Sequence, residues 1–437
     1  MRSGFSTMVR HVPVIVLWLI IGGGAWAFLG RTLPALLVAF SGTTYVVALM
    51  LQRLRARLSG SMGERVLLVA VSAYLALFAA LSLTRPFPEI APLVFGVVVC
   101  HAVAYLVDVF RGEAETNRPL HAALYLVQLP VLIAGPLSRY HEFSAQLSAS
   151  TVKLGAFAYG VRRVVTGLIK AVLVGGTLAG AADAIFAAPP DRLTSGAAWL
   201  GAALFGLQVY LQFSGYCDIA IGAGRMVGLR YFENFRRPYT ADSIREFWRR
   251  WNVTLITWLR DYLHLPIAGQ DRPTVRLYGN IVAGFCFVGL WHGAGASFLV
   301  WGLYCGSWLA LEATGLRVRI ERLPRAIRHA YVIAVVTVGW VILRAPSLVH
   351  AAAFFKSMIG LNPRPGLAAT AFLTTAVWVA LAVGAFAAGP LVPSISRWRV
   401  SVDAATTSVL MMCAATGLFL WRGPSMVLRS IRPSHET

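Results

Sequence analysis

The sequence predicts an all-α, polytopic integral membrane protein, with about eleven or twelve transmembrane helices and additional re-entrant or interfacial helices. Three observations carry that prediction. Charged residues make up 13% of the 437 residues, half the roughly 25% found in a soluble domain. Hydrophobic residues make up 57%, and mean hydropathy is +0.67. Apolar runs of about 18 residues or more, enough to cross a bilayer, recur from one end of the chain to the other.

Taken in order, the candidate spans cover about 12–29, 33–51, 66–84, 90–110, 119–137, 155–186, 196–224, 275–292, 296–314, 328–345, 367–389 and 402–421. The first follows a basic start (Arg2, Arg10, His11) and reads as a retained helix rather than a cleaved signal. The stretch 155–186 is long enough to contain a break. Scattered Trp and Tyr fit interfacial belts. With no internal repeat, soluble domain or long linker in view, residues 1–437 read as a single membrane domain.

A formal charge of +21 in a soluble protein would suggest nucleic acid. Here it fits loops that face the cytoplasm and anionic headgroups, so no nucleic-acid partner is expected. The loop holding Arg53, Arg55 and Arg57 and the loop from Arg317 to Arg328 are the strongest cytoplasmic candidates. Cys100, Cys217, Cys286, Cys305 and Cys413 lie mostly within apolar runs, with no CxxC pair and no metal-ligand spacing, and read as small buried hydrophobes.

Residues 234–292 break the apolar monotony. Ser243-Ile-Arg-Glu246 fits a capping box, which predicts a helix starting near Ser243, soon after Pro238. That helix carries Arg249, Arg250, Arg260 and Asp261, too many charges for a lipid-exposed span. Trp248, Trp251, Leu255 and Trp258 recur at 3, 4 and 3 as one aromatic stripe. A helix lying at the interface or re-entering the protein satisfies both facts. A solvated amphipathic loop helix without catalytic duty is the blander alternative.

His292 stands in Gly289-Leu-Trp-His-Gly293, at the end of an apolar segment. An ionisable side chain there is costly unless it faces a cavity or a partner. Imidazole is also the usual base for drawing a proton from an attacking hydroxyl. A structural His bonded to a neighbouring helix fits the same residue. Asn252 carries an amide able to orient a substrate or steady an oxyanion, or to bond helix to helix. Arg236, Arg237, Arg245, Arg249, Arg250 and Arg260 form a basic set suited to phosphates, or to headgroups and pairing with Asp242, Glu246 and Asp261. Asp218 is expected to pair with an Arg or cap a helix break near Gly215. His101, Asp108 and His121 read as structural.

Six segments stand out as motifs: Ala134-Gly-Pro-Leu-Ser-Arg139, Phe213-Ser-Gly-Tyr-Cys-Asp-Ile-Ala-Ile-Gly222, Asn234-Phe-Arg-Arg-Pro-Tyr239, Glu246-Phe-Trp-Arg-Arg-Trp251, Trp258-Leu-Arg-Asp-Tyr262 and Gly289-Leu-Trp-His-Gly-Ala294. Together they resemble the membrane-bound O-acyltransferase family, in its bacterial branch that O-acetylates polysaccharides such as alginate. Trp340-Val-Ile-Leu-Arg344 is a weaker echo. They fall in the family's order across roughly residues 130–345, the catalytic core the resemblance implies.

The resemblance implies helices packed around a central tunnel and acyl transfer from a thioester to a hydroxyl. Its catalytic histidine corresponds to His292. Asn252 occupies the place where this branch usually has His, which leaves the acceptor open. The implied donor is acetyl-CoA or another acyl thioester, held through Arg236, Arg237, Arg249, Arg250 and Trp251, with no resident cofactor or metal. The implied acceptor is a hydroxyl of an envelope or secreted glycan, reached directly or through a periplasmic acetyltransferase partner, at the bacterial inner membrane. The rivals are D-alanyl or longer-chain transfer to teichoic acid, lipid or protein. From another class come a secondary transporter or channel gated by a buried His, and a non-catalytic scaffold. Paired repeats, the usual transporter signature, are not visible.

Overall fold

The computed structural model describes residues 32–389, apart from 59, 85–90, 133, 150–151, 265–274, 294 and 363–365. The expected spans at 12–29 and 402–421, the basic start and Cys413 lie outside the described residues. Among the described residues every regular element is helical, and pairing between extended segments is limited to two isolated bridges. Six helices there are long and apolar enough to cross a membrane, and two shorter apolar helices join them. The chain is a multi-pass integral membrane protein.

The first three helices, α1 (Thr32–Arg55), α2 (Gly60–Thr84) and α3 (Ala91–Arg111), fall where the apolar runs predict them. Helix α3 is the most buried of the three and packs against both others. The run 119–137, by contrast, is not one span. It forms a short α4 (Pro119–Leu126), a single 3₁₀ turn (Leu129–Val131) and then irregular chain, in which the Gly135 N–H turns back to the Val131 carbonyl at 2.8 Å. Pro130 and Pro136 explain the difference, since each lacks an N–H and disfavours helix in the residue before it. After α5 (Tyr140–Ala149), the long stretch at 155–186 stays helical throughout. Helix α6 (Leu154–Leu168) widens into a π-helical segment (Ile169–Gly175) before α7 (Gly176–Ala187).

Helix α8 (Ser195–Met226) is the central post, capped at its start by Thr194 Oγ1, which accepts from the Ala197 N–H at 3.3 Å. It crosses α6 at backbone contact. A Cβ on Gly215 would lie 2.7 Å from the Gly167 carbonyl oxygen, and one on Gly167 would lie 2.5 Å from the Gly215 oxygen. The same reciprocal approach recurs one step along, between Gly160 and Gly222. Small residues permit this separation where packing alone must hold helices together. One residue cluster on, Asp218 pairs with an Arg as expected, and with a Lys as well. Arg163 donates to its Oδ1 at 2.7 Å and Lys170 to its Oδ2 at 2.8 Å. Arg163 also holds Glu233, so two cations meet two carboxylates.

The two short helices α9 (Ile244–Arg250) and α10 (Val253–Trp258) follow. Next come the hairpin of α11 (Val275–His292) and α12 (Ala296–Leu311), then α13 (Arg325–Arg344), α14 (Leu348–Met358) and α15 (Thr375–Ala388). Loop contacts sort the charges by face. On one face Arg111 donates to the Asp261 carbonyl at 3.1 Å, Arg139 pairs with Asp261, and Arg328 pairs with Asp242 at 3.1 Å. Thr116 bonds Gln52 beside the Arg53–Arg57 loop, joining it to the same face. The opposite face holds the Arg344–Asp183 pair at 2.7 Å and the bond from Ser357 to the Pro190 carbonyl.

If the α6–α8 crossing depends on bare backbone contact, Gly215→Leu forces the helices apart. It is expected to cost about 1–3 kcal/mol, seen as a lower unfolding temperature in detergent, whereas Gly180→Leu, where a Cβ meets nothing within 4 Å, leaves it nearly unchanged.

Candidate active site

The 3, 4, 3 spacing predicts one helix from Ser243 to Tyr262, but the structure divides it. Asn252 takes φ 46°, ψ 52°, a left-handed conformation that ends α9 and starts α10. Asn tolerates that region better than most residues, because its short polar side chain bonds locally. Both half-helices still bury their aromatic faces, which is why the stripe continues across the break: Trp248, Trp251 and Trp258 are all buried. Beyond Trp258 the chain winds into a π-helical turn (Leu259–His264).

The start of α9 is well satisfied. Ser243 Oγ accepts from the Glu246 N–H at 3.1 Å, while Glu246 Oε2 accepts from the Asp242 N–H at 2.9 Å, one residue earlier than a standard capping box. Glu312, buried at the end of α12, takes the N–H groups of Ile244 and Arg245 at 2.7 and 2.8 Å. A carboxylate there complements the positive end of the helix.

The break itself is clipped by the segment upstream. Arg236 N–H donates to the Arg250 carbonyl at 2.9 Å and Val253 N–H to the Asn234 carbonyl at 3.0 Å, with Phe235 and Trp251 bridged between them. Asn234, 1% exposed, works from the inside. Its Nδ2 donates to Asn252 Oδ1 at 2.9 Å, and its Oδ1 accepts from the Thr254 N–H at 3.0 Å and the Thr254 hydroxyl at 2.9 Å.

These elements wall a cavity of about 200 Å³. His292, Asn252 and Trp251 all line it, together with residues of α3, α8, α12, α13 and the irregular Ala134–Leu137 segment. His292 ends α11 and is exposed, its ring edge-on to Trp301 at 5.2 Å between centroids. The α11–α12 hairpin is drawn tight beneath it. A Cβ on Gly289 would lie 2.3 Å from the Phe298 carbonyl oxygen, and one on Gly302 2.3 Å from that of Phe285. Trp291 anchors the adjoining position by donating to the Leu93 carbonyl at 3.0 Å. Trp251, Trp301 and Trp340 form a continuous aromatic wall, with centroids 4.9 Å apart for Trp251–Trp340 and 6.4 Å for Trp301–Trp340.

The four arginines of the expected donor set do not line this cavity. Arg236 and Arg249 are exposed, and Arg237 is half-buried in a left-handed conformation. Arg250 is engaged within the protein, donating to Thr240 Oγ1 at 2.5 Å and pairing with Glu246. Sequence reasoning also missed residues. Asn234 and Thr254 hold the break, and Gln212 and Trp301 line the cavity with buried N–H groups that no described residue accepts. Only the presence of Asn234 at the head of a motif signalled any of these. Of the residues read as structural, His101 packs on Tyr125 and His121 Nδ1 lies 2.8 Å from Ser144 Oγ. Asp108 has convergent neighbours that the sequence did not reveal, in Tyr262, Arg111 and Arg139.

Residues 68–343 match the family model described as MBOAT, membrane-bound O-acyltransferase family. The chain belongs to that family. Among similar curated proteins, the probable alginate O-acetylase AlgI of Pseudomonas putida is 40% identical over 269 residues, 61% of this chain and 55% of that protein. The probable alginate O-acetylase AlgI of Azotobacter vinelandii is 41% identical over 261 residues, 59% of this chain and 51% of that protein. The peptidoglycan O-acetyltransferase of Helicobacter pylori is 31% identical over 312 residues, 62% and 58% of the two chains. The matched stretch thus spans a little over half the length of these relatives. The family match covers α3 to α13, a stretch that includes every helix lining the cavity.

The arginines separate by test. Arg250→Ala, which strips partners from Thr240 and Glu246, is expected to cost about 1 kcal/mol in thermal unfolding. Arg249→Ala, at an exposed position, is expected to stay within about 0.5 kcal/mol of the unmodified protein.

Proposed function

We propose that this protein is an O-acyltransferase that moves an acetyl group from acetyl-CoA to a hydroxyl of an envelope or secreted polysaccharide. The observation that carries the reading is the convergence of His292 and Asn252 on one cavity. The segments bearing them are more than thirty residues apart in sequence, and each brings a group that acyl transfer needs. The names of the similar proteins, acetylases of alginate and peptidoglycan, support the acyl group and the acceptor class.

His292 accepts the proton of the attacking hydroxyl as its oxygen bonds to the thioester carbonyl carbon. The carbonyl oxygen gains negative charge, which the Asn252 amide stabilises by hydrogen bonding. Collapse of that intermediate breaks the C–S bond, and the departing thiolate takes the proton from His292. Acceptor O–H and donor C–S bonds are thereby exchanged for ester C–O and thiol S–H bonds.

The face that gathers Arg53, Arg111, Arg139 and Arg328 is assigned to the cytoplasm of a bacterial inner membrane, following the bias of basic residues to that side. The donor enters there, its phosphates meeting the exposed Arg236 and Arg249, with Arg237 beside them. Arg250 supports the loop, and Trp251 meets the thioester arm inside the cavity. A periplasmic acetyltransferase partner that carries the acetyl group onward fits the opposite face.

Thioester consumption by the purified protein tests the reading. His292→Ala is expected to lower turnover by about 10²–10⁴ while the protein stays monodisperse and binds donor. Near-normal turnover from that folded variant sinks the assignment. Neutralising Arg236 and Arg249 together is expected to raise the donor KM with little loss of kcat, as for groups that bind substrate and transition state alike. A fall in kcat at constant KM places them elsewhere in the cycle.

A further inference from the structure

The geometry assigns Asn234 as a positioning residue that fixes Asn252 as a hydrogen-bond donor toward the cavity, an inference that rests on the acyltransferase reading above. A side-chain amide has two ends that differ only in N and O, and their assignment follows from the surrounding network. Here backbone groups, whose polarity is not in question, fix the network at three points. Leu137 N–H donates to Thr254 Oγ1 at 3.0 Å, so the Thr254 hydroxyl proton is free to go to Asn234 Oδ1. Thr254 N–H donates to the same oxygen. Both donors demand an acceptor, so the oxygen of Asn234 faces Thr254.

The Nδ2 of Asn234 then has two protons to place. One goes to Asn252 Oδ1 at 2.9 Å and the other toward Cys217 Sγ at 3.3 Å. The thiol in turn donates to the Ala134 carbonyl at 3.0 Å, the third backbone anchor. With its oxygen committed to Asn234, Asn252 offers the cavity its NH₂ end. An N–H donor is what a developing oxyanion requires. An acceptor there would repel it.

The left-handed backbone at Asn252 narrows the choice of residue further. Asn, Asp and His are the side chains enriched in that region. Asn and neutral His can each accept from Asn234 at one atom and present N–H at another. Asp can accept but has only oxygen left to present.

The test is a double-mutant cycle on the full-length protein in detergent, read as thiol release from acetyl-CoA in the presence of a soluble oligosaccharide. In Asn234→Asp the carboxylate still accepts from Thr254 but turns an oxygen toward Asn252, whose amide rotates to donate and shows its oxygen to the cavity. The expected loss is about 10²–10³ in kcat, that of one oxyanion donor, with donor KM nearly unchanged. Adding Asn252→His to Asn234→Asp places an imidazole beside the carboxylate, which favours the imidazolium, a donor at both nitrogens. Asn252→His is therefore expected to multiply kcat by a factor about tenfold or more larger in the Asn234→Asp background than in the native one. Asn252→Asp needs no change at Asn234 and is expected to keep the fold while losing kcat to the same extent, which covers an Asn234→Asp variant that fails to fold.

Equal effects of Asn252→His in the two backgrounds, or native kcat in Asn252→Asp, overturn the assignment. The two readings fail differently. Turnover by the unmodified protein with no coupling in the cycle removes this inference alone. Absence of thioester turnover in the unmodified protein removes the acyltransferase reading, and this one with it.

Discussion

Between α9 and α10 the backbone leaves helical geometry inside a protein that has little water to offer it, and the amide of Asn234 is what makes this tolerable. An unsatisfied peptide group in such surroundings costs several kcal/mol. Asn234 supplies the Thr254 N–H with an acceptor, and its own carbonyl takes the Val253 N–H. Around it the network reaches Leu137 and Ala134 in one segment and Cys217 in another. Three stretches distant in sequence are thus joined through one buried side chain. The conformation of Asn252, the divergence of the two half-helices and the shape of the cavity all follow from that junction.

A second constraint acts through close packing. The crossings of α6 with α8 and of α11 with α12 bring backbones into contact at paired glycines. In hydrocarbon there is little hydrophobic drive between helices, so association rests on intimate packing and on polar contacts within it. The α6–α8 crossing adds the Arg163–Lys170–Asp218–Glu233 cluster, in which the charges balance. The irregular segment thus lies in a protein whose helix pairs meet at backbone contact.

Much of this was legible in the sequence because the bilayer imposes a simple code. Apolar length located α1, α2, α3, α8 and α13 to within a few residues. Local chemistry located the Ser243 cap and the pairing of Asp218 with an Arg, though only the structure shows that partner to be Arg163. His292 and Asn252 stood out because polar groups in apolar context are rare, and both line the cavity. What stayed hidden depends on partners far along the chain. The 3, 4, 3 aromatic stripe reads the same for one helix as for two that bury a common face. The break at Asn252 is set by Asn234, eighteen residues upstream, through tertiary hydrogen bonds. The run 119–137 is apolar enough to span, yet Pro130 and Pro136 keep its second half from continuing the helix. Exposed Arg236 and Arg249 and the engaged Arg250 look alike in sequence, since only geometry distinguishes a guanidinium that faces solvent from one already bonded.

The aromatic wall has an optical consequence. Five of the 13 tryptophans, Trp248, Trp251, Trp291, Trp301 and Trp340, line the same cavity. Indole emission responds to the polarity of its surroundings, and rings 4.9 and 6.4 Å apart are close enough for excitation to pass between them. Emission from this group reports on one small volume, so filling, emptying or wetting of the cavity alters the intrinsic fluorescence without any added label.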